Sequence, residues 1–143
     1  MLFTTDRLLF FAGHLCDHFY QFTNVFGNGI QCQFNTKFIF AGYRQLISRA
    51  PATGIRVIGS PIGPYKGASY WTEEGEAARQ KINTWILTSG AFDGIVRLDE
   101  AFANPADKAA MRDGYHMGDF LHGSDAGLKA VGESIDLALF KTE

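Results

Sequence analysis

The sequence is short of the residues that define several large classes of protein. Its 143 residues include two cysteines, Cys16 and Cys32, which are too few for a disulfide framework. Their spacing fits no zinc motif with the available histidines, so free thiols or at most one bridge are expected. No apolar run approaches the roughly 20 residues that a membrane-spanning helix needs. A transmembrane helix and a cysteine-rich fold are therefore both excluded.

An excess of charge of either sign is also missing. Thirteen Lys and Arg residues stand against fifteen Asp and Glu residues, which leaves a net charge of -2 and an isoelectric point near 6.1. Nucleic acid binding is not expected, because there is no basic run to hold a polyanion. With 46% apolar and 20% charged residues, the composition is ordinary for a globular protein whose length suits one domain.

Residues 1–39 differ in character from the remainder and hold eight of the thirteen phenylalanines. Phe19, Phe22 and Phe26 recur at helical spacing, whereas residues 31–40 favour an extended segment. The apolar residues 8–13 faintly resemble a signal-peptide core, but the run is short and His14 interrupts it. We therefore predict no signal peptide from this pattern.

His14 and His18 form an i, i+4 pair with Cys16 and Asp17 between them, a grouping that superficially suits a metal ion. The glutamate of the zincin motif is absent, and no third ligand is clear. We therefore predict no metal site.

From Phe40 onward the pattern becomes regular. Tyr43, Leu46 and Ile47 mark one face of a helix that Pro51 and Gly54 end, and the β-branched run of residues 55–59 follows as a buried strand. A loop rich in Gly and Pro occupies residues 60–70. This succession of helix and apolar strand predicts a parallel α/β arrangement.

A second helix and strand follow the loop. Thr72 is a suitable N-cap, and the helix should run to Ser89 with an apolar face formed by Ala78, Ile82, Trp85 and Ile86. Residues 94–99 then predict a second strand that ends in Asp99.

The last part of the chain carries the most informative motif, Asp119-Phe120-Leu121-His122. Ser124 or Asp125 can cap a final helix whose apolar face, Leu128, Val131, Ile135 and Leu139, would pack on the sheet. A neutral histidine can accept a proton from a hydroxyl near pH 7, and a neighbouring carboxylate can fix its tautomer. The spacing thus fits a general base and its orienting acid.

Five segments together resemble the C-terminal part of an SGNH hydrolase, the GDSL-type esterase and lipase family. They are residues 41–47, 54–59, 78–86, 89–94, and 118–122 with 125–127, within residues 40–140. The resemblance implies a three-layer α/β/α fold with a mostly parallel sheet. It also implies hydrolysis of acyl or carbohydrate esters by a Ser-His-Asp mechanism, without metal or cofactor. His122 would be the general base and Asp119 its partner.

The chain departs from that family in its N-terminal part. No Gly-Asp-Ser nucleophile block occurs, and neither oxyanion block is recognisable, Asn28 being only a faint trace of one. The nucleophile and the oxyanion donors are therefore unassigned, and Ser60 would at best line the site. Gly123 replaces the usual proline after the histidine, which should loosen the loop.

These features divide the chain into a non-matching segment, residues 1–39, and the C-terminal part of an SGNH domain, residues 40–143. Truncation of the N-terminal part explains the pattern best, and the sheet would then associate through an open edge unless residues 1–39 cover it. The substrate would be a small acyl ester or an acylated carbohydrate. The alternatives are a non-catalytic esterase-like binding module and an inactive fragment. The resemblance is compatible with secretion, but the sequence leaves localisation open.

Overall fold

The computed structural model describes residues 7–11 and 36–141. The elements run in the order β1, α1, a 3-10 turn, β2, α2, β3, α3, α4 and a second 3-10 turn. Their bounds are Arg7–Phe11, Thr36–Arg49, Pro51–Thr53, Ile55–Gly59, Glu73–Thr88, Gly94–Ile95, Leu98–Phe102, Asp125–Ser134 and Leu137–Phe140.

The three strands form a parallel sheet in the order β1-β2-β3. Strand β1 pairs with β2 along its whole length, from Arg7 opposite Ile55 to Phe11 opposite Gly59. The predicted α/β class with a parallel sheet is confirmed. The division between residues 1–39 and 40–143 stays a prediction, although β1 lies in the first segment and contributes a strand to the sheet.

Helices α1 and α2 pack together over one face of the sheet. Tyr43 of α1 and Ile82 and Ile86 of α2 are between 2% and 5% exposed and form the centre of this cluster. Gly59 leaves room for the ring of Phe92, which joins the cluster. Because burial of such side chains removes apolar surface from water, this cluster stabilises the domain.

The C-terminal segment covers the opposite face. Leu139 lies close to Gly94, where a Cβ atom would be 2.8 Å from its side chain, and Arg56 donates a hydrogen bond to the Lys141 carbonyl. In the register of the sheet Gly94 stands beside Ile58, whose side chain points to the face opposite Gly59. The sheet therefore has contacts on both faces, with α1 and α2 on one and the turn that carries Leu139 on the other.

Helix α2 begins as the sequence predicts. Thr72 accepts a hydrogen bond from the Gly75 backbone N–H at 3.0 Å, and Glu73 and Glu74 stand in the positive first turn. The Tyr65 hydroxyl approaches this turn closely, and a Cβ atom at Gly75 would lie 2.4 Å from it, which favours glycine here.

The same helix holds the loop that follows β2. The Asn83 side-chain amide accepts from the Ile62 N–H at 2.7 Å and donates to the Ile62 carbonyl at 2.8 Å. Buried Arg79 donates to that carbonyl and to the Lys108 carbonyl, and its charge is paired with Glu76 at 2.7 Å. Two loops are thereby fixed to one rigid helix.

The predicted second strand, residues 94–99, is wrong in its second half. Strand β3 ends at Ile95, although the Val96 N–H still donates to the Gly59 carbonyl. Arg97 then leaves extended geometry and pairs with Asp99 and Glu100 in the first turn of α3. Acidic residues stabilise a helix N-terminus, and here they end the strand.

The predicted final helix is also too long. Helix α4 ends at Ser134, because Asp136 accepts a hydrogen bond from the Ala138 N–H and starts a new turn. The helix packs against α3 and leaves Leu128 57% exposed. The expected apolar stripe on the sheet is thus replaced by a helix contact and a separate turn carrying Leu139.

Two smaller expectations also need correction. Residues 36–40, expected to be extended, form the first turn of α1, and Leu46 is 40% exposed and not on the buried face. The remaining expectations for residues 12–35 lie outside the described residues: the cysteines, the His14 and His18 pair, the phenylalanine spacing and Asn28. Within the parts that the structure does describe, no helix is both long and apolar enough to cross a membrane.

Candidate active site

The structure brings Asp119 and His122 into direct contact. His122 Nδ1 lies 2.5 Å from Asp119 Oδ2, a short hydrogen bond. The other carboxylate oxygen, Oδ1, accepts from the backbone N–H groups of Leu121 and His122, each at 3.0 Å. Both oxygens of the acid therefore have partners from its own turn, which restricts the carboxylate to one orientation.

These hydrogen bonds keep the acid ionised. The bond from the His122 ring, followed by those from the two backbone N–H groups, lowers the pKa of Asp119 well below its ordinary value of 3.8. An ionised carboxylate can only accept, so Nδ1 must carry the proton. In the neutral form of the imidazole the unprotonated nitrogen is therefore Nε2, which is the form a general base requires.

A narrow loop with paired sides carries the dyad. His116 and Gly123 form an antiparallel bridge, and the Met117 N–H donates to the His122 carbonyl at 2.9 Å. The loop turns at Gly118, whose φ of 99° favours glycine. Residues 116–123, here named the dyad loop, are thus held by backbone pairing.

Helix α4 anchors the end of this loop. Ser124 accepts from the Gly127 N–H at 3.2 Å as the predicted N-cap, and its hydroxyl donates to the Gly114 carbonyl at 2.6 Å. Gly127 is buried against the backbone of Tyr115, where a Cβ atom would lie 2.3 Å from the carbonyl oxygen. The end of the loop is therefore anchored by a helix cap and a close backbone contact.

Gly123, which was expected to loosen the loop, has a packing role. A Cβ atom at this position would lie 3.1 Å from the Phe102 ring of α3 and 3.2 Å from Leu128. The position pairs with His116 and brings the loop against α3 and α4.

The dyad lies open to solvent. The side chains of His122 and Asp119 are 55% and 44% exposed. A substrate can therefore reach the imidazole, and exposure also means that water competes for the hydrogen bonds that orient it.

The serines of the chain have mostly local partners. Ser60, which follows β2, is 2% exposed and donates to the Pro61 carbonyl at 3.3 Å. The hydroxyls of Ser48, Ser89, Ser124 and Ser134 also bond to nearby backbone groups. The nucleophile and the oxyanion donors remain unassigned. In the described ranges no three His, Cys, Asp or Glu side chains come together as metal ligands.

Sequence reasoning missed one part of the site, the contact between Phe120 and the Gly/Pro-rich loop. The Phe120 ring lies over Gly67, and its centroid is 4.4 Å from that of the His116 ring. The two loops are 53 positions apart in the chain, so only the tertiary structure could place them together.

No family model matches this chain, and no curated protein does. The architecture defines an α/β protein with a GDSL-like, SGNH-hydrolase-like fold. A solved structure that it resembles is a GDSL-like lipase from Bacteroides thetaiotaomicron, with a TM-score of 0.58 and 20% sequence identity. The match covers 75% of this chain and 53% of the lipase, so the chain spans about half the length of that relative.

Proposed function

We propose that this chain is a GDSL-type ester hydrolase domain in which His122 and Asp119 supply the base and its orienting acid. The hydrogen bond between His122 Nδ1 and Asp119 Oδ2 is the observation that carries the proposal. The GDSL-like fold supports the proposal. The sequence supports it as well, because the family resemblance implies these two roles for the residues of the Asp-x-x-His motif.

The reaction proposed is acyl transfer from a small acyl ester or an acylated carbohydrate to a serine hydroxyl and then to water. His122 accepts the proton of the attacking hydroxyl, and returns it to the leaving alkoxide as an acyl-enzyme forms. Water activated by the same imidazole then hydrolyses that intermediate. Asp119 stabilises the imidazolium throughout, and no metal or organic cofactor takes part.

Hydrolysis of p-nitrophenyl acetate by the purified chain tests the proposal. His122→Ala should reduce kcat/KM by on the order of 10²- to 10⁴-fold, because a positioned general base contributes about that much. Met117→Ala is the control, since it truncates a side chain of the same loop that is 74% exposed.

Equal hydrolysis by wild type and His122→Ala would contradict the proposal. The absence of a Gly-Asp-Ser block favours the second candidate in that case, a module that binds an acyl chain or acylated sugar without chemistry. Saturable amide shifts in an NMR titration with an acylated oligosaccharide would identify that module. If the chain shows neither hydrolysis nor binding, the result would support the third candidate, an inactive fragment.

A further inference from the structure

Phe120 has an unusual backbone conformation between the two members of the dyad. Its φ is 61°, and among the residues that the structure describes no other non-glycine residue has a positive φ. This left-handed region is unfavourable for a side chain with a Cβ atom. A bulky residue keeps such a conformation only when its surroundings hold it there.

Phe120 is 41% exposed, and its ring has contacts on two sides. Its centroid lies 4.4 Å from that of the His116 ring, with the planes inclined by 30°. On another side the ring packs so closely on Gly67 that a Cβ atom there would be 2.8 Å from the ring carbon Cγ. The ring is therefore seated between the dyad loop and the loop of residues 60–70.

The loop beneath the ring is held in place by backbone hydrogen bonds. Next to Gly67, the Lys66 N–H donates to the Ala109 carbonyl at 2.8 Å, and the Ala68 N–H donates to the Tyr65 carbonyl at 3.0 Å. Further back, Asn83 of α2 holds the same loop at Ile62. The ring thus rests on a loop that helix α2 holds at Ile62.

The turn at Phe120 also determines where the following N–H groups point. Those of Leu121 and His122 both converge on Asp119 Oδ1, while Oδ2 meets the imidazole. We infer that Phe120 is a positioning residue, whose ring, seated between Gly67 and His116, holds the turn that brings the Asp119 carboxylate onto His122.

The inference rests on the proposed function only in that the positioned dyad would then be catalytic. Its test measures the geometry of the dyad without a substrate. The readouts are the pKa of the Asp119 carboxyl, from its ¹³C NMR titration, and the far-downfield proton resonance of the His122 Nδ1–H. Phe120→Ala should raise the pKa of Asp119 toward 3.8 and weaken or abolish the downfield resonance. Phe120→Tyr, which keeps the ring, should restore both.

The control for Phe120→Ala is Met117→Ala, a truncation in the same loop of a side chain that is 74% exposed. It should leave both readouts as in wild type. Urea unfolding of each variant shows whether the domain remains folded.

A second variant approaches the contact from the opposite loop. Gly67→Ala places a Cβ atom against the ring and should raise the pKa of Asp119 as Phe120→Ala does. Gly114→Ala is its matched control, because Gly114 also has a positive φ, 79°, yet has no atom within 4 Å of the added Cβ. If Gly67→Ala raises the pKa of Asp119 and Gly114→Ala does not, the cause is the contact with the ring and not backbone strain at a positive φ.

Unchanged readouts in both Phe120→Ala and Gly67→Ala would overturn the inference, as would equal changes in Met117→Ala or Gly114→Ala. If Phe120→Ala fails to fold, the Gly67 and Gly114 pair decides alone. These measurements need no ester. Failure of the inference about Phe120 can therefore be distinguished from failure of the proposed hydrolase function.

Discussion

Two regions of this domain are stabilised by different interactions: the framework, formed by β2, α1 and α2, and the dyad loop. Around β2, α1 and α2, side chains such as Ile58 and Ile86 are at most 2% exposed, and the contacts are apolar. In the dyad loop both members of the dyad are about half exposed, and backbone hydrogen bonds and turns at positive φ maintain the geometry. The framework therefore depends on burial, whereas the candidate site depends on turn geometry and on the contact between Phe120 and Gly67.

The strongest test of this contrast changes the framework. Ile86→Ala should lower the free energy of unfolding by about 2 to 5 kcal/mol, because it leaves a cavity in a close-packed cluster. Its neighbour Leu87 lies on the same helix but is 39% exposed, so Leu87→Ala should cost less than about 1 kcal/mol. Urea unfolding measures both, and equal losses would contradict a core centred on this cluster.

A smaller loss of stability is expected at the end of the dyad loop, where Ser124 caps α4. Ser124→Ala removes the bond from the Gly127 N–H and the bond to Gly114, and should cost about 1 kcal/mol. Ser134→Ala makes the same chemical change near the other end of the helix and should stay within about 0.5 kcal/mol of wild type. Thermal unfolding checks the pair, and similar shifts in both would exclude a capping role.

The smallest effect concerns the exposed dyad and its dependence on pH. The pKa of Asp119 is lowered in the folded state, so its contribution to stability is present above the unfolded value near 3.8. That contribution should be lost as the pH falls below this value toward the folded pKa. The difference in unfolding free energy between wild type and Asp119→Asn should therefore shrink on acidification. A difference that is constant from pH 7 to strongly acidic pH would show that the short hydrogen bond does not form in solution.

The framework was largely predictable from particular residues. The strand at Ile55–Gly59 and the helix that Thr72 caps are confirmed, because a β-branched run between glycines and a cap before periodic apolar residues are local signals. Strand β3 and helix α4 were predicted too long. Arg97 with its acidic partners and Asp136 with Ala138 form short-range bonds that compete with the longer elements, and apolar periodicity does not reveal them.

The site was predictable in part. The Asp119 and His122 motif was identified, and their hydrogen bond follows from a spacing that one turn can close. Their catalytic role stays a prediction. The seating of Phe120 on Gly67 was not predictable, because a positive φ at a phenylalanine contradicts its local preference and exists only where distant atoms hold it.

The sequence by itself therefore determined the α/β class, the central strand, the capped helix and the spacing that lets one turn join Asp119 to His122. Each of these depends on neighbours within a few residues, or on a periodicity that a single segment carries. Only the tertiary structure decided that Arg7–Phe11 pairs with β2, that α4 packs on α3, and that Phe120 of the dyad loop contacts Gly67 of a distant loop. These contacts join residues far apart in the chain, and their energy comes from burial and close approach that no local pattern encodes.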